Sequence, residues 1–300
     1  MPQTARALFA GVRPPLRGLV LVAAVTAAWH TAVPMSAADD DIVVLLARVG
    51  QYVQRYLDRA GTLISRETVR LQPLGGDLTP DGRARRLEYD LRVEWTPGQD
   101  GRPSRAQAVR TLLTVDGRPP KPADEPECMD PRAEVPEPLS LFLPERQTEY
   151  AFKSAGTGRA EGRRVRILQF RELRRGSPEV AWKGSCVTVD LPGRSVGRAW
   201  IDPDSGEVLR IDEFTPGPVD IQVPPAEQRP GSDPYMVFER SDVSIRYKRV
   251  VFHDPEEAVL MPASVETLSS WRHVGALRHR TTQTFTNYRR FVTGARVVTD

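Results

Sequence analysis

Arg86-Leu87-Glu88-Tyr89-Asp90-Leu91-Arg92-Val93-Glu94-Trp95 alternates charged and apolar residues without a break. Successive side chains of a β-strand point to opposite faces. The spacing therefore predicts a strand with Leu87, Tyr89, Leu91, Val93 and Trp95 on a dry face and five charges on a wet one. One such strand needs neighbours, and the chain supplies them on both sides.

Less strict alternation recurs at Leu63–Leu71, Gln107–Val115, Tyr150–Lys153, Val165–Phe170 and Val187–Leu191. It returns at Val243–Phe252, Ser264–Trp271 and Leu277–Phe291. Gly197–Ile201 and Val208–Phe214 flank Asp202-Pro203-Asp204-Ser205-Gly206, residues that fix φ or tolerate left-handed backbone, so the pair predicts a hairpin. Its apolar face would hold Ala199, Ile201, Leu209 and Ile211. About ten or eleven strands result, which makes the fold mainly β and antiparallel.

Only one segment keeps a helical period. Asp39–Asp41 supply capping acids, and Ile42, Leu45, Leu46, Val49, Val53, Tyr56 and Leu57 recur on one side of a predicted amphipathic helix. Asp254-Pro255-Glu256-Glu257 predicts one capped helical turn between two strands. Asp116–Pro138 holds seven prolines and Thr215–Pro234 holds six. Proline cannot donate to a ladder, so both stretches are expected as long surface loops. No repeat of solenoid length occurs, and strands of one character lie on both sides of each loop, so residues 39–300 are expected to form a single domain.

The first 38 residues are expected to be a removable export signal. Arg6, Arg13 and Arg17 form its basic part, Gly18–Ala28 its apolar part and Ser36-Ala37-Ala38 the cleavage site. Three of the 42 basic residues lie in this leader, which has no Asp or Glu, so 39 basic and 39 acidic side chains remain. A neutral mature domain has no overall field to attract polyanions, which argues against nucleic acid as a partner. The mature chain is expected to be soluble and periplasmic or secreted. In an oxidising compartment Cys128 and Cys186 predict a disulfide; two separate thiols are the alternative.

Chemistry is sparse. Gly193-Arg194-Ser195-Val196-Gly197 matches the G-x-S-x-G pattern of serine hydrolases, but that pattern works at a strand-to-helix turn and here a strand follows. A turn is the plainer reading, and esterase activity through Ser195 the remote alternative. His253, His273 and His279 show no metal-ligand spacing, and no glycine-rich phosphate loop occurs, so no metal or cofactor is expected. The Arg clusters at 83–86, 163–166 and 171–175 are interleaved as on the wet side of a sheet.

The order of leader, amphipathic helix and long antiparallel series, with "GRAWIDPDSGEVLRIDEF" at 197–214, resembles the LolA/LolB-like lipoprotein-carrier superfamily, which includes RseB-type periplasmic sensors. The resemblance covers the mature chain in layout and the Trp200–Arg210 hairpin in detail. It implies a strongly curved half-barrel with the N-terminal helix against its apolar face. It further implies non-enzymatic binding of a lipid, lipoprotein or other apolar ligand in the cell envelope. Leu87, Tyr89, Leu91, Val93 and Trp95 are the ligand-facing candidates. A sensor or scaffold that binds another envelope protein through its proline-rich loops and sheet edge is the alternative.

Overall fold

The computed structural model describes residues 37–60, 63–97, 103–124, 138–183, 186–228, 230–231, 233–253, 256–273 and 275–290. Most of the leader, Cys128 and the side chains of Val93, Trp95 and Cys186 lie outside the described residues, and so does the expected disulfide. Helix α1 spans Ala37–Ala60, starting just before the acids expected to cap it. Twelve strands follow among the described residues: β1 Leu63–Pro73, β2 Arg85–Pro97, β3 Pro103–Val115, β4 Tyr150–Ala160, β5 Arg163–Glu172 and β6 Glu179–Lys183, then β7 Cys186–Asp190, β8 Val196–Ile201, β9 Val208–Gln222, β10 Tyr235–His253, β11 Glu256–His273 and β12 Gly275–Arg290.

Ten strands form one open antiparallel sheet in the order β3-β2-β1-β12-β11-β10-β9-β8-β5-β4, and β6 pairs with β7 in a separate ribbon. Paired residues in an antiparallel ladder place their side chains on one face. The register therefore draws a single row across all ten strands: Val115, Leu87, Val69, Gln283, Val265, Ile245, Ile211, Ala199, Leu168 and Ser154. Most of the row is buried, and exposure returns only at the β4 edge. This is the dry face that the β2 alternation predicts.

Leu45, Val49, Val53, Tyr56 and Leu57 of α1 share one buried cluster with Leu168, Ala199, Ile211 and Ile245. Each aliphatic side chain so buried contributes about 2 kcal/mol. Polar contacts accompany them: Gln147 Nε2 donates to the Leu46 carbonyl at 3.1 Å, and the Arg48 guanidinium donates to the Pro203 carbonyl. Leu87, Tyr89, Val69 and Val115 form a second cluster, and Leu91 packs with Phe285 in a third.

The predicted hairpin is β8–β9, and its turn is made by Asp202. Asp202 Oδ1 accepts the backbone N–H of Asp204 at 2.9 Å and of Ser205 at 3.1 Å, while its carbonyl accepts Gly206 N–H at 3.0 Å. Gly206 has φ +75°, and a Cβ there would press on the Arg48 carbonyl of α1. Glycine satisfies both demands.

Two expectations are corrected. The proline-rich stretch 215–234 is not a loop throughout, because β9 continues to Gln222. Phe238 pairs with Val219 and Arg240 with Pro216, so a register irregularity absorbs Pro216–Pro218 where two ladder donors are missing. The helical turn expected at 254–257 is also absent as such: Glu256 and Glu257 belong to β11 and pair with His253 and Phe252. Strand pairing here outweighs the capping pattern.

Candidate functional site

The dry face changes character towards one end. Along β9 the buried Ile211 is followed at the same parity by Glu213 and Thr215; on β5, Phe170 is followed by Glu172. Ser241 of β10 pairs with Thr215 and with Ser269 of β11, extending this polar row across the sheet. A cavity of about 430 Å³ opens over it, a volume suited to a small ligand. Its other walls come from the 3-10 helix Pro138–Phe142, the segment around Arg146, and Val189, Asp190 and Leu191 of the ribbon side.

The cavity is amphipathic. Leu141, Leu191 and Phe238 are buried in its apolar wall, joined by Tyr150 and Trp271. The Phe238 and Trp271 rings meet edge to face at 5.0 Å, and Trp271 Nε1 donates to Ser269 Oγ at 2.8 Å. Burial pushes the Tyr150 phenol above its usual pKa, with Glu172 and Glu213 adding in the same direction. Tyr150 is therefore a neutral donor at physiological pH.

Two guanidiniums line the cavity, and both are engaged. Arg146 donates to Glu149 Oε2 at 3.0 Å and to Ser140 Oγ at 2.9 Å. Arg174 donates to the buried Glu172 at 2.8 Å and to both oxygens of Asp190 at 2.8 and 2.9 Å. The hydrogen bond to Glu172, then that to Asp190, hold the Arg174 pKa above its ordinary range. Glu172 Oε2 also accepts Gly193 N–H at 2.9 Å, so β5 and the turn before β8 are tied together. Glu213 is different: it accepts Ser195 Oγ–H at 2.6 Å and pairs with no cation among the described residues.

The residues singled out from sequence are dispersed. Ser195 lines the cavity, but strand β8 follows it and no histidine lines the cavity among the described residues. Leu87, Tyr89 and Leu91 are buried on the same sheet face near its other edge, in two packed clusters. Val93 and Trp95 continue β2 opposite Ala108 and Ala106. Glu172, Glu213, Ser241 and Ser269 escape a search for motifs. For Glu172 and Glu213 the signal is parity, since each follows a buried apolar residue, Phe170 or Ile211, two positions earlier on its strand; Ser241 and Ser269 carry no such local signal.

A larger groove of about 620 Å³ lies on the opposite, wet face. Its charges largely satisfy one another, with Arg210 at 2.6 Å from Asp212, Arg240 on Asp242 and Arg280 at 3.8 Å from Glu266. Exposed pairs of this kind contribute little to stability.

No protein-family model and no curated protein matches the chain. Solved structures do. A DUF1329 family protein from Desulfovibrio piger is 10% identical, with 86% of this chain and 95% of that one covered and a TM-score of 0.43. A LolA superfamily protein from Nitrosomonas europaea is 8% identical over 84% and 97%, with a TM-score of 0.34. MucB of Pseudomonas aeruginosa, in its complex with MucA, is 12% identical over 86% and 100%, with a TM-score of 0.22. The solved structures similar to this chain thus include members of the LolA superfamily, the grouping that the 197–214 hairpin resembles.

Proposed function

We propose that the mature chain is a non-enzymatic envelope protein that holds an amphipathic molecule of the lipid class on the dry face of its sheet. In this reading the sheet is a strongly curved half-barrel, and α1 lies against its apolar face. The observation that carries it is the cavity of about 430 Å³ placed where the apolar row gives way to serines and carboxylates. An acyl chain would meet Leu141, Leu191 and Phe238 while its head stays among polar groups. Leu87, Tyr89, Leu91, Val93 and Trp95 would form the far wall of the same face, reached only by displacing side chains now packed there. The Cys128–Cys186 link belongs to the proposal as a staple on the ribbon that walls the cavity.

Isothermal titration of residues 39–300 with decyl maltoside below its micelle concentration tests this. One-to-one binding that Leu191→Asp weakens, and that Thr188→Asp on the exposed outer face of the ribbon does not, is the expected result. Absence of saturable binding would count against it.

A second reading rests on the β4 edge, where Lys153–Thr157 are exposed and unpaired on one side. Such an edge can accept a strand from another envelope protein. A pull-down that survives Leu191→Asp but is lost on replacing Ala155 with Pro would favour it.

A further inference from the structure

We propose that the cavity selects an amphiphile with a cationic, ammonium-type head, and that Glu213 is its counter-charge; this rests on the ligand-binding reading above. The charge pattern carries the inference. Arg146 is paired with Glu149, and Arg174 with Glu172 and Asp190, so neither guanidinium is available without breaking a pair. Among the carboxylates that line the cavity, Glu213 alone has no cation partner among the described residues. Its Oε1 takes the Ser195 hydroxyl, and its Oε2 receives no hydrogen bond among the described residues.

A half-buried carboxylate without a cation costs desolvation energy that an incoming positive charge would offset. Aromatic walls act in the same sense. Tyr150, Phe238 and Trp271 border the cavity, and ring faces attract ammonium groups. An anionic head would meet three carboxylates, Glu172, Asp190 and Glu213, against two guanidiniums already spent. Opposite charge is therefore favoured and like charge disfavoured by one set of residues. Burial keeps the Tyr150 phenol protonated, so it adds no fourth negative charge.

Three probes with the same decyl chain and different heads separate this inference from the broader reading: decyltrimethylammonium, decyl maltoside and decanoate, each below its micelle concentration. Decyltrimethylammonium should bind about tenfold more tightly than the other two. Glu213→Gln should bring the ratio of ammonium to maltoside affinity close to one, and Glu213→Asp should keep the preference. Tetramethylammonium chloride should compete for the ammonium probe on the unmodified chain, which gives a readout even if a variant folds poorly. Equal or tighter binding of decanoate, or a preference unchanged in Glu213→Gln, would overturn the inference while leaving the ligand-binding reading intact. Failure of all three probes to bind would overturn both.

Discussion

Ser195 Oγ donates to Glu213 Oε1 across 2.6 Å, joining the turn before β8 to the adjacent strand β9 inside the cavity. The hydroxyl that a G-x-S-x-G pattern would offer as a nucleophile is thus a donor to a carboxylate. Glu213 is placed to take that proton, but acyl transfer also needs an oxyanion site at a following helix, and here a strand follows.

Ester hydrolysis through Ser195 is accordingly not expected. p-Nitrophenyl butyrate should turn over at the buffer rate with residues 39–300 and with their Ser195→Ala variant alike. Hydrolysis that disappears in Ser195→Ala would restore the esterase alternative.

Gly197 sits directly under the Phe170 ring, and a Cβ there would overlap that ring and the Asp212 carbonyl. Neither can retreat, because Gly197 pairs with Phe170 on one side and Glu213 on the other. Gly197→Ala should destabilise the chain by about 3 kcal/mol in urea unfolding. A loss below about 0.5 kcal/mol would mean that the β5–β8–β9 register is not as described.

Glu67 is fully buried on the dry face, with Arg110 Nε at 2.7 Å and Gln283 Nε2 at 2.8 Å. Arg110→Met would strand this carboxylate and should cost about 3 kcal/mol or more. Glu67→Met with Arg110→Met should recover most of the loss, since an apolar pair of similar volume suits the site. Equal stabilities for the single and double variants would contradict the pairing.

Asp202 is held below the usual carboxylate pKa: its burial pushes upward, but the Ser205 and Asp204 amides together with Arg163 outweigh it. A depressed carboxylate stabilises the fold above its unfolded pKa, near about pH 4, and loses that contribution as pH falls through its folded value. The stability gap between the unmodified chain and Asp202→Asn should therefore be widest near neutrality and close on acidification. A gap independent of pH between 6 and 2 would show that the turn does not depend on the charge.

Fold class was legible because alternation needs no partner to be seen: Leu87 through Leu91 and the Asp202–Gly206 turn announce themselves locally. Strand β6, Glu179–Lys183, was missed because it is short, largely exposed and carries little alternation to read. The start of β10 at Tyr235 and the end of β9 at Gln222 were hidden by flanking prolines, whose lost ladder bonds are absorbed at an irregularity visible only once the strands are paired. The cavity was legible in part. Glu172 and Glu213 break the apolar parity of their own strands, yet nothing local says that Ser241 and Ser269 join them, because cross-strand register is a tertiary property.

The most direct test is photo-crosslinking of residues 39–300 with a decyl amphiphile carrying a diazirine at the chain terminus, read by peptide mass spectrometry. Adducts should fall on Leu141, Leu191, Phe238 and Trp271, and a tenfold excess of decyl maltoside should suppress them. Adducts confined to the wet-face groove around Phe214 and Leu268, or labelling that the competitor leaves unchanged, would contradict binding on the dry face.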